Sequence, residues 1–371
     1  MSQFLGIFND QFFRIALAIY IMMGANSLSQ GTRYFFASFL IAVFMLPSLL
    51  FSATAGEIAD KYRKDIIIRI VKIAQLLLAF IGIAGFLLHS VTILLIVLFL
   101  AGTISTLFSP TKYSAIPEFL KQEDLVAGNT IIQVGNYISM LLGIICGILV
   151  YSIDRSWLFL IYLAVAVTGF VASLYIPELK KSTQKFKISK NFIKTTIKNM
   201  HYLKYTKDIY MCILGISWFW FIGVVLVYQI PNFAEIVLKG QKDLYTFLAL
   251  LLSSGVFVGA LLSYFLLKKE ISVKYVPISV IFMTLFIVDL SFSAKYVHLA
   301  LTTNIALTSF LSTFSGIRII IDVFAYSLFA GLYIVPLITM LQVLAKRKIR
   351  ARVFAVNDIV NVLFMIAKQA I

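Results

Sequence analysis

Gly56-Glu57-Ile58-Ala59-Asp60-Lys61-Tyr62-Arg63-Lys64 stands between two long apolar runs, 33–55 and 66–88. Gly56 leaves room for a neighbouring helix to approach closely. Asp60 is placed to accept hydrogen bonds or to cap a helix N-terminus. Lys61, Arg63 and Lys64 suit a turn that sits at a layer of lipid headgroups. A short polar turn joining two runs of about 20 apolar residues is the pattern of a transmembrane helical hairpin.

The rest of the chain extends this pattern. Of 371 residues, 61% are hydrophobic and 13% charged. Soluble chains are about 45–50% apolar and about 25% charged. A soluble enzyme or nucleic-acid-binding domain is therefore excluded. Long continuous apolar runs also exclude a β-barrel, whose strands are short and alternate. Spans are expected at about 4–25, 33–55, 66–88, 91–116, 126–150, 156–176, 209–232, 244–267, 275–292, 318–342 and 353–371. The class is an all-α polytopic membrane protein. Residues 1–25 lack a basic n-region and an A-x-A site, so they read as a first span and not as a cleaved leader. The segment 293–317, with Lys295, His298 and a Ser/Thr-rich run, reads as an outer loop with room for an amphipathic helix.

The formal net charge is +16. With the N-terminus in the cytoplasm, 23 Lys and Arg fall in inner loops and five in outer ones. The inner set includes Arg69 and Lys72, the lysines from Lys180 to Lys207, and the run Lys346 to Arg352. That bias obeys the positive-inside rule, so the basic excess sets topology and implies no nucleic-acid partner. The expected domains are a six-helix bundle over 1–176, a basic cytoplasmic linker over 177–208 and a bundle of about five helices over 209–371. In the linker, Ile193 and Ile197 alternate with lysines. Two readings are open there: a solvated linker, or a segment lying along an anionic membrane surface. Cys146 and Cys212 lie in separate apolar segments, and the scattered histidines start no catalytic or metal motif. No enzyme, metal or cofactor is expected.

An internal repeat divides the chain. Ala101-Gly102, Pro110 and Ala127-Gly128-Asn129 recur as Ala330-Gly331, Pro336 and Ala355-Val356-Asn357, at offsets of 229, 226 and 228 residues. Parallel six-span halves are one architecture of secondary transporters. The 56–64 turn resembles the G-x-x-x-D-[RK]-x-x-[RK]-[RK] loop of the major facilitator superfamily, which implies a role for Gly56, Asp60, Lys61, Arg63 and Lys64 in gating the cytoplasmic side. Phe8-Asn9-Asp10-Gln11-Phe12-Phe13, Phe108-Ser109-Pro110-Thr111-Lys112-Tyr113, Trp218-Phe219-Trp220 and Gly331 to Leu337 resemble the bacterial lysophospholipid transporter family. Ile317 to Asp322 and Arg350 to Val353 resemble most the form fused to an acyltransferase and an acyl-carrier-protein ligase. The resemblance implies a multi-pass protein of the bacterial inner membrane, a lysophosphatidylethanolamine-like substrate, and a separate acyltransferase as a candidate partner. Members have twelve spans; this chain ends at Ile371, so it reads as truncated within or after the eleventh.

A charge at the bilayer centre costs roughly 2.5–3.5 kcal/mol, so each one calls for a cavity or a partner. Asp10 and Arg14 are one turn apart on the first span. They form either a helix-internal pair, or a cavity site in which Asp10 meets a coupling cation or an ethanolamine amine. Lys112, beside Tyr113, either snorkels to the interface or binds a lipid phosphate. Arg318 and Asp322 read as a structural pair, and Asp289 as an outer helix cap. Asn129, Gln133 and Asn136, and likewise Asn357 and Asn361, share helix faces. They either glue helices together or line the substrate cavity. Two rival functions stay open, a small-solute or drug transporter and a non-transporting anchor for an acyltransferase. The coupling ion is unassigned.

Overall fold

The computed structural model describes residues 1–24, 30–153, 155–179, 188, 191–204, 207–267, 270–300 and 306–367. They are overwhelmingly helical. In order the helices are α1 (Ser2–Gly24), α2 (Gln30–Lys61), α3 (Lys64–Leu87), α4 (Val91–Phe119), α5 (Leu125–Ile153), α6 (Arg155–Leu174) and α7 (Phe192–Lys204). They continue as α8 (Lys207–Asn232), α9 (Lys242–Leu267), α10 (Tyr275–Ala300), α11 (Leu307–Leu311), α12 (Phe314–Leu344) and α13 (Arg350–Ala367). Among the described residues, ten helices are long and apolar enough to cross a membrane. The eleventh expected span, α13, is not one of them, because its 18 residues carry Arg350, Arg352 and Asp358.

Two sequence expectations change here. The segment 293–317 is mostly helix, since α10 runs on to Ala300 and α12 starts at Phe314, with the five-residue α11 before it. Asp289 does not cap an outer end; it lies within α10. Of the basic linker, residues 180–187, 189, 190, 205 and 206 lie outside the described residues.

By contacts the chain forms two compact units. The first holds Met1–Leu120, Ile138–Tyr210 and Gln342–Leu363; the second holds Lys121–Tyr137, Met211–Leu341 and Phe364–Ile371. The first is built on an aromatic core. Phe12 and Phe13 of α1 stack against Tyr162 of α6, and Phe13 meets Phe86 of α3 edge-on. Leu94 and Leu98 of α4 close the same core, fully buried. Stacked and edge-on rings add about 0.5–1.5 kcal/mol per pair beyond the area they bury, so α1, α3, α4 and α6 form a rigid frame. The second unit packs Ile230, Leu244 and Leu248 with Phe310, Ile319 and Val323.

Each unit uses a repeat glycine for the same purpose. A Cβ at Gly102 of α4 would strike the Phe44 carbonyl oxygen of α2. A Cβ at Gly331 of α12 would strike the Val256 carbonyl oxygen of α9. The second and fourth spans of each half thus cross backbone to backbone. In lipid, where apolar side chains gain nothing by leaving solvent, such close crossings drive association. Gly259, in the Gly255-x-x-x-Gly259 run of α9, lies equally close to the Leu328 carbonyl oxygen. Gly259→Ala is therefore expected to cost about 1–3 kcal/mol by overpacking. Gly223→Ala, with open space at its Cβ, should leave stability unchanged. Thermal unfolding of the two variants in one detergent checks both.

Candidate functional site

The rigid frame of the first unit holds a cavity of about 220 Å³. Asp10, Gln11 and Arg14 reach it from α1, and Ser105, Phe108, Ser109 and Lys112 from α4. The α4 residues fall at i, i+3, i+4 and i+7, which is one helix face. Asp10 accepts a hydrogen bond from Ser105 Oγ at 2.5 Å. Arg14 donates to Gln11 Oε1 and lies 4.7 Å over the Phe44 ring. Lys112 lies 4.4 Å over the Tyr113 ring and 6.0 Å from the Phe108 centroid.

The sequence reading missed one member of this group. Lys72 was assigned to an inner loop, but α3 starts at Lys64, so Lys72 sits two turns inside a span and is 1% exposed. Its Nζ donates to Gln75 Oε1 at 2.7 Å and lies 5.0 Å over the Phe108 ring. Lys72 and Arg14 are the cations whose fields reach Asp10. Asp358 of α13 is the carboxylate whose field reaches Lys112, and its Oδ2 is buried without a hydrogen-bond partner among the described residues. Among the described residues, neither Lys72 nor Lys112 closes a direct ion pair with a carboxylate. The group therefore holds one buried and one partly buried lysine with hydrogen-bonding capacity to spare, next to a carboxylate and aromatic rings. It can receive an anion and a cation together.

A second constellation in the same unit forms at the 56–64 segment, which is no nine-residue turn: α2 runs on to Lys61, and only Tyr62 and Arg63 join it to α3. Asp60 is 3% exposed and lies at the N-terminus of α13. It accepts from the Ala351 N–H at 3.0 Å, the Arg352 N–H at 3.3 Å and Arg352 Nε at 3.0 Å. The first N–H groups of a helix have no partner within it and carry partial positive charge, which a carboxylate satisfies. Gly56 permits this contact: a Cβ there would lie 2.7 Å from Ala355 Cβ and 2.9 Å from Arg352 Cα. Lys64 pairs with Glu118 of α4 at 2.7 Å, and Glu118 also meets Arg347 at 3.3 Å. Gln342 Nε2 donates to the Tyr113 carbonyl at 3.1 Å, and Tyr113 stacks on Phe354 at 5.1 Å. Arg63 bridges Asp65 and Glu178, and the Asp65 carboxylate beside it holds its guanidinium above the ordinary arginine range. Lys61 lies 5.5 Å from the Tyr62 ring.

The remaining expected site residues lie apart from the cavity lining. Asn9 is 6% exposed, and its amide oxygen has no hydrogen-bond partner among the described residues. In the second unit, Asn129 donates to Thr339 at 3.0 Å and Asn136 to Gln133 at 3.1 Å. Thr130, next to Asn129, donates to the Ala260 carbonyl at 3.3 Å. Asn129 and Thr130 thus tie α5 to α12 and α9. Asn357 and Asn361 are both buried on α13. Arg318 forms its ion pair with Asp289 of α10, with Nε–Oδ2 at 2.9 Å. The expected pair with Asp322 gives way because α10 offers a carboxylate across the helix interface. Asp322 accepts from Ser293 at 3.4 Å. Trp218 is half exposed and stacks on Phe221, whereas Phe219 is buried against Tyr333.

Comparison with known proteins agrees with this architecture. The chain is 24% identical over 355 residues to the lysophospholipid transporter LplT of Photorhabdus laumondii subsp. laumondii, covering 92% of this chain and 78% of that one. Its fold is similar to an outward-facing bacterial homologue of the iron transporter ferroportin, with a TM-score of 0.67, 12% identity, and 100% and 91% of the two chains covered. It is also similar to the proton:xylose symporter XylE, with a TM-score of 0.68, 14% identity, and 98% and 86% covered. The family model of the Major Facilitator Superfamily matches residues 1–367. With helices long enough to cross a membrane, a repeated Gly-mediated crossing and the 56–64 segment, the chain belongs to the Major Facilitator Superfamily and is a membrane transporter, not an enzyme.

Proposed function

We propose that this transporter moves lysophospholipid across the bacterial inner membrane by alternating access, with its N-terminus in the cytoplasm. The observation that carries this reading is one cavity lined by Asp10, Arg14 and Lys112 beside Phe44 and Phe108, with Lys72 buried behind its lining residues Gln75 and Phe108. A lysophosphatidylethanolamine headgroup carries a phosphate and an ammonium a few bonds apart. Lys72 and Lys112 suit the phosphate, and Asp10 suits the ammonium or a coupling cation. The aromatic rings suit the start of the acyl chain. The 24% identity to a lysophospholipid transporter supports the same substrate class. The basic residues of the 56–64 and 346–352 segments support a cytoplasmic placement of those segments. Asp60, Gly56, Lys64 and Glu118 form the gate on that side in this reading.

The direct test is uptake of labelled lysophosphatidylethanolamine into proteoliposomes holding the chain. Saturable uptake that excess unlabelled lysolipid suppresses, and that sugars or cationic drugs leave unchanged, is the expected result. Uptake equal to that of protein-free liposomes overturns the proposal.

A further inference from the structure

The linker helix α7 is built inside out. Its inward face is polar: Thr195 is 2% exposed and Asn199 7%. Its outward face is apolar: Ile193 is 59% exposed and Ile197 63%. Lys194 and Lys198 run beside these isoleucines, one position on, and both are exposed. An i, i+4 spacing makes each pair a continuous stripe along the helix. The N-terminus is fixed, since Asn191 Oδ1 accepts from the Lys194 N–H at 3.0 Å and Thr195 Oγ1 donates to the Asn191 carbonyl at 2.9 Å. The helix packs against α2. A shallow surface depression of about 460 Å³ is lined by Asn191, Ile193, Lys194, Ile197 and Lys198.

Such a face in water would be an error of patterning, because isolated isoleucines gain nothing by exposure while threonine and asparagine lose solvent. Its location resolves this. Lys204 ends α7 and Lys207 starts α8, a helix of membrane-spanning length. Lys204 and Lys207 are three residues apart, so the two ends lie within about 11 Å of each other at most. The C-terminal end of α7 is therefore held at the membrane boundary, and its contact with α2 holds it against a second span. At that depth the available surroundings are headgroups and the first methylenes of the acyl chains. An interfacial helix sinks its apolar face about 5–10 Å into that layer, with lysines reaching the lipid phosphates.

We infer that α7 is a membrane-surface anchor, whose Ile193–Ile197 stripe and Lys194–Lys198 stripe form a binding site for anionic phospholipid of the adjoining leaflet. The isoleucines enter between acyl chains, and the lysines pair with phosphate and anionic headgroups. The positive charge selects an anionic surface over a zwitterionic one. The site packs against α2, the helix that also carries Asp60, so leaflet composition reaches the 56–64 segment.

The test uses the full chain in nanodiscs of phosphatidylcholine alone, or of phosphatidylcholine mixed with phosphatidylglycerol. Hydrogen exchange is read over 192–204. Each lysine near an anionic surface contributes about fivefold, so the pair should slow exchange by roughly thirtyfold in the anionic discs. Lys194→Gln with Lys198→Gln should remove this difference while keeping basal protection. Ile193→Asn with Ile197→Asn should lower protection in both lipids. As a second readout, Ile197→Cys carrying a fluorophore should be quenched by lipid bearing a shallow spin label. Equal exchange in the two lipids together with an unquenched probe would overturn the inference, as would quenching by a soluble agent alone.

Discussion

Asp10→Asn is expected to abolish lysophosphatidylethanolamine transport while leaving the protein folded. The substitution keeps shape and removes charge. Asn can still accept from Ser105, which bonds Asp10 at 2.5 Å, so the α1–α4 contact survives. The lost element is the negative charge among Arg14, Lys72 and Lys112. Truncating one side of a buried charge pairing costs roughly 2–5 kcal/mol, so the apparent affinity for an amine-bearing lysolipid should fall by about thirtyfold or more. Headgroup chemistry separates two roles for Asp10. If Asp10 receives the ammonium, transport of lysophosphatidylglycerol, which has none, should persist in the variant. If Asp10 binds a coupling cation, both substrates should fail together. Uptake of both at wild-type rates would show that the cavity is not the translocation site. Lys112→Met gives the complementary result. It should weaken phosphate-bearing lysolipids by roughly tenfold or more, yet leave binding of a neutral monoacylglycerol unchanged.

How much of this was legible in the sequence depends on distance along the chain. The 56–64 segment could be read because its glycine, acid and bases are local. The face of α1 could be read because helical spacing places Asp10 with Arg14; on α4 only Lys112 was singled out, with Tyr113, which lies outside the cavity lining. Lys72 was misread because it follows Arg69 and Lys64 in a basic stretch, and positive charge near a span end looks like a loop. The expected span 66–88 already encloses Lys72, yet its charge is counted with the inner loop; α3, which starts at Lys64, places it two turns deep. The Arg318 partner was misassigned because Asp322 is four residues away and Asp289 is 29. Local spacing offers the nearer acid, whereas packing of α10 on α12 supplies the farther one. The polarity inversion of α7 was hidden for a related reason. Its period is helical, but which stripe faces inward is set by α2, and no local pattern encodes that.

The partner of Asp60 lies 291 residues away and was equally hidden, yet it carries the second large prediction. Asp60 satisfies two backbone N–H groups at the start of α13 as well as the Arg352 guanidinium. Charge-assisted hydrogen bonds are worth about 1.5–3 kcal/mol each. In Asp60→Asn one of the two acceptors becomes an NH2 group, which then faces donors. The turn between α12 and α13 should separate from the end of α2, and a cysteine placed at Ala351, now fully buried, should react with a bulky maleimide at least tenfold faster. Gly56→Leu should produce the same exposure by steric force, because Ala355 and the Arg352 backbone occupy the space its side chain needs. Exchanging the charges, Asp60→Arg with Arg352→Asp, discriminates between two physical origins. An ion pair would be restored by the exchange. A helix cap would not, since arginine cannot accept from the Ala351 and Arg352 N–H groups. Continued exposure of the Ala351 cysteine in the exchanged protein is the expected outcome. Recovery of burial would assign the latch to the ion pair alone. Unchanged labelling in Asp60→Asn and Gly56→Leu alike would remove this turn from the gate.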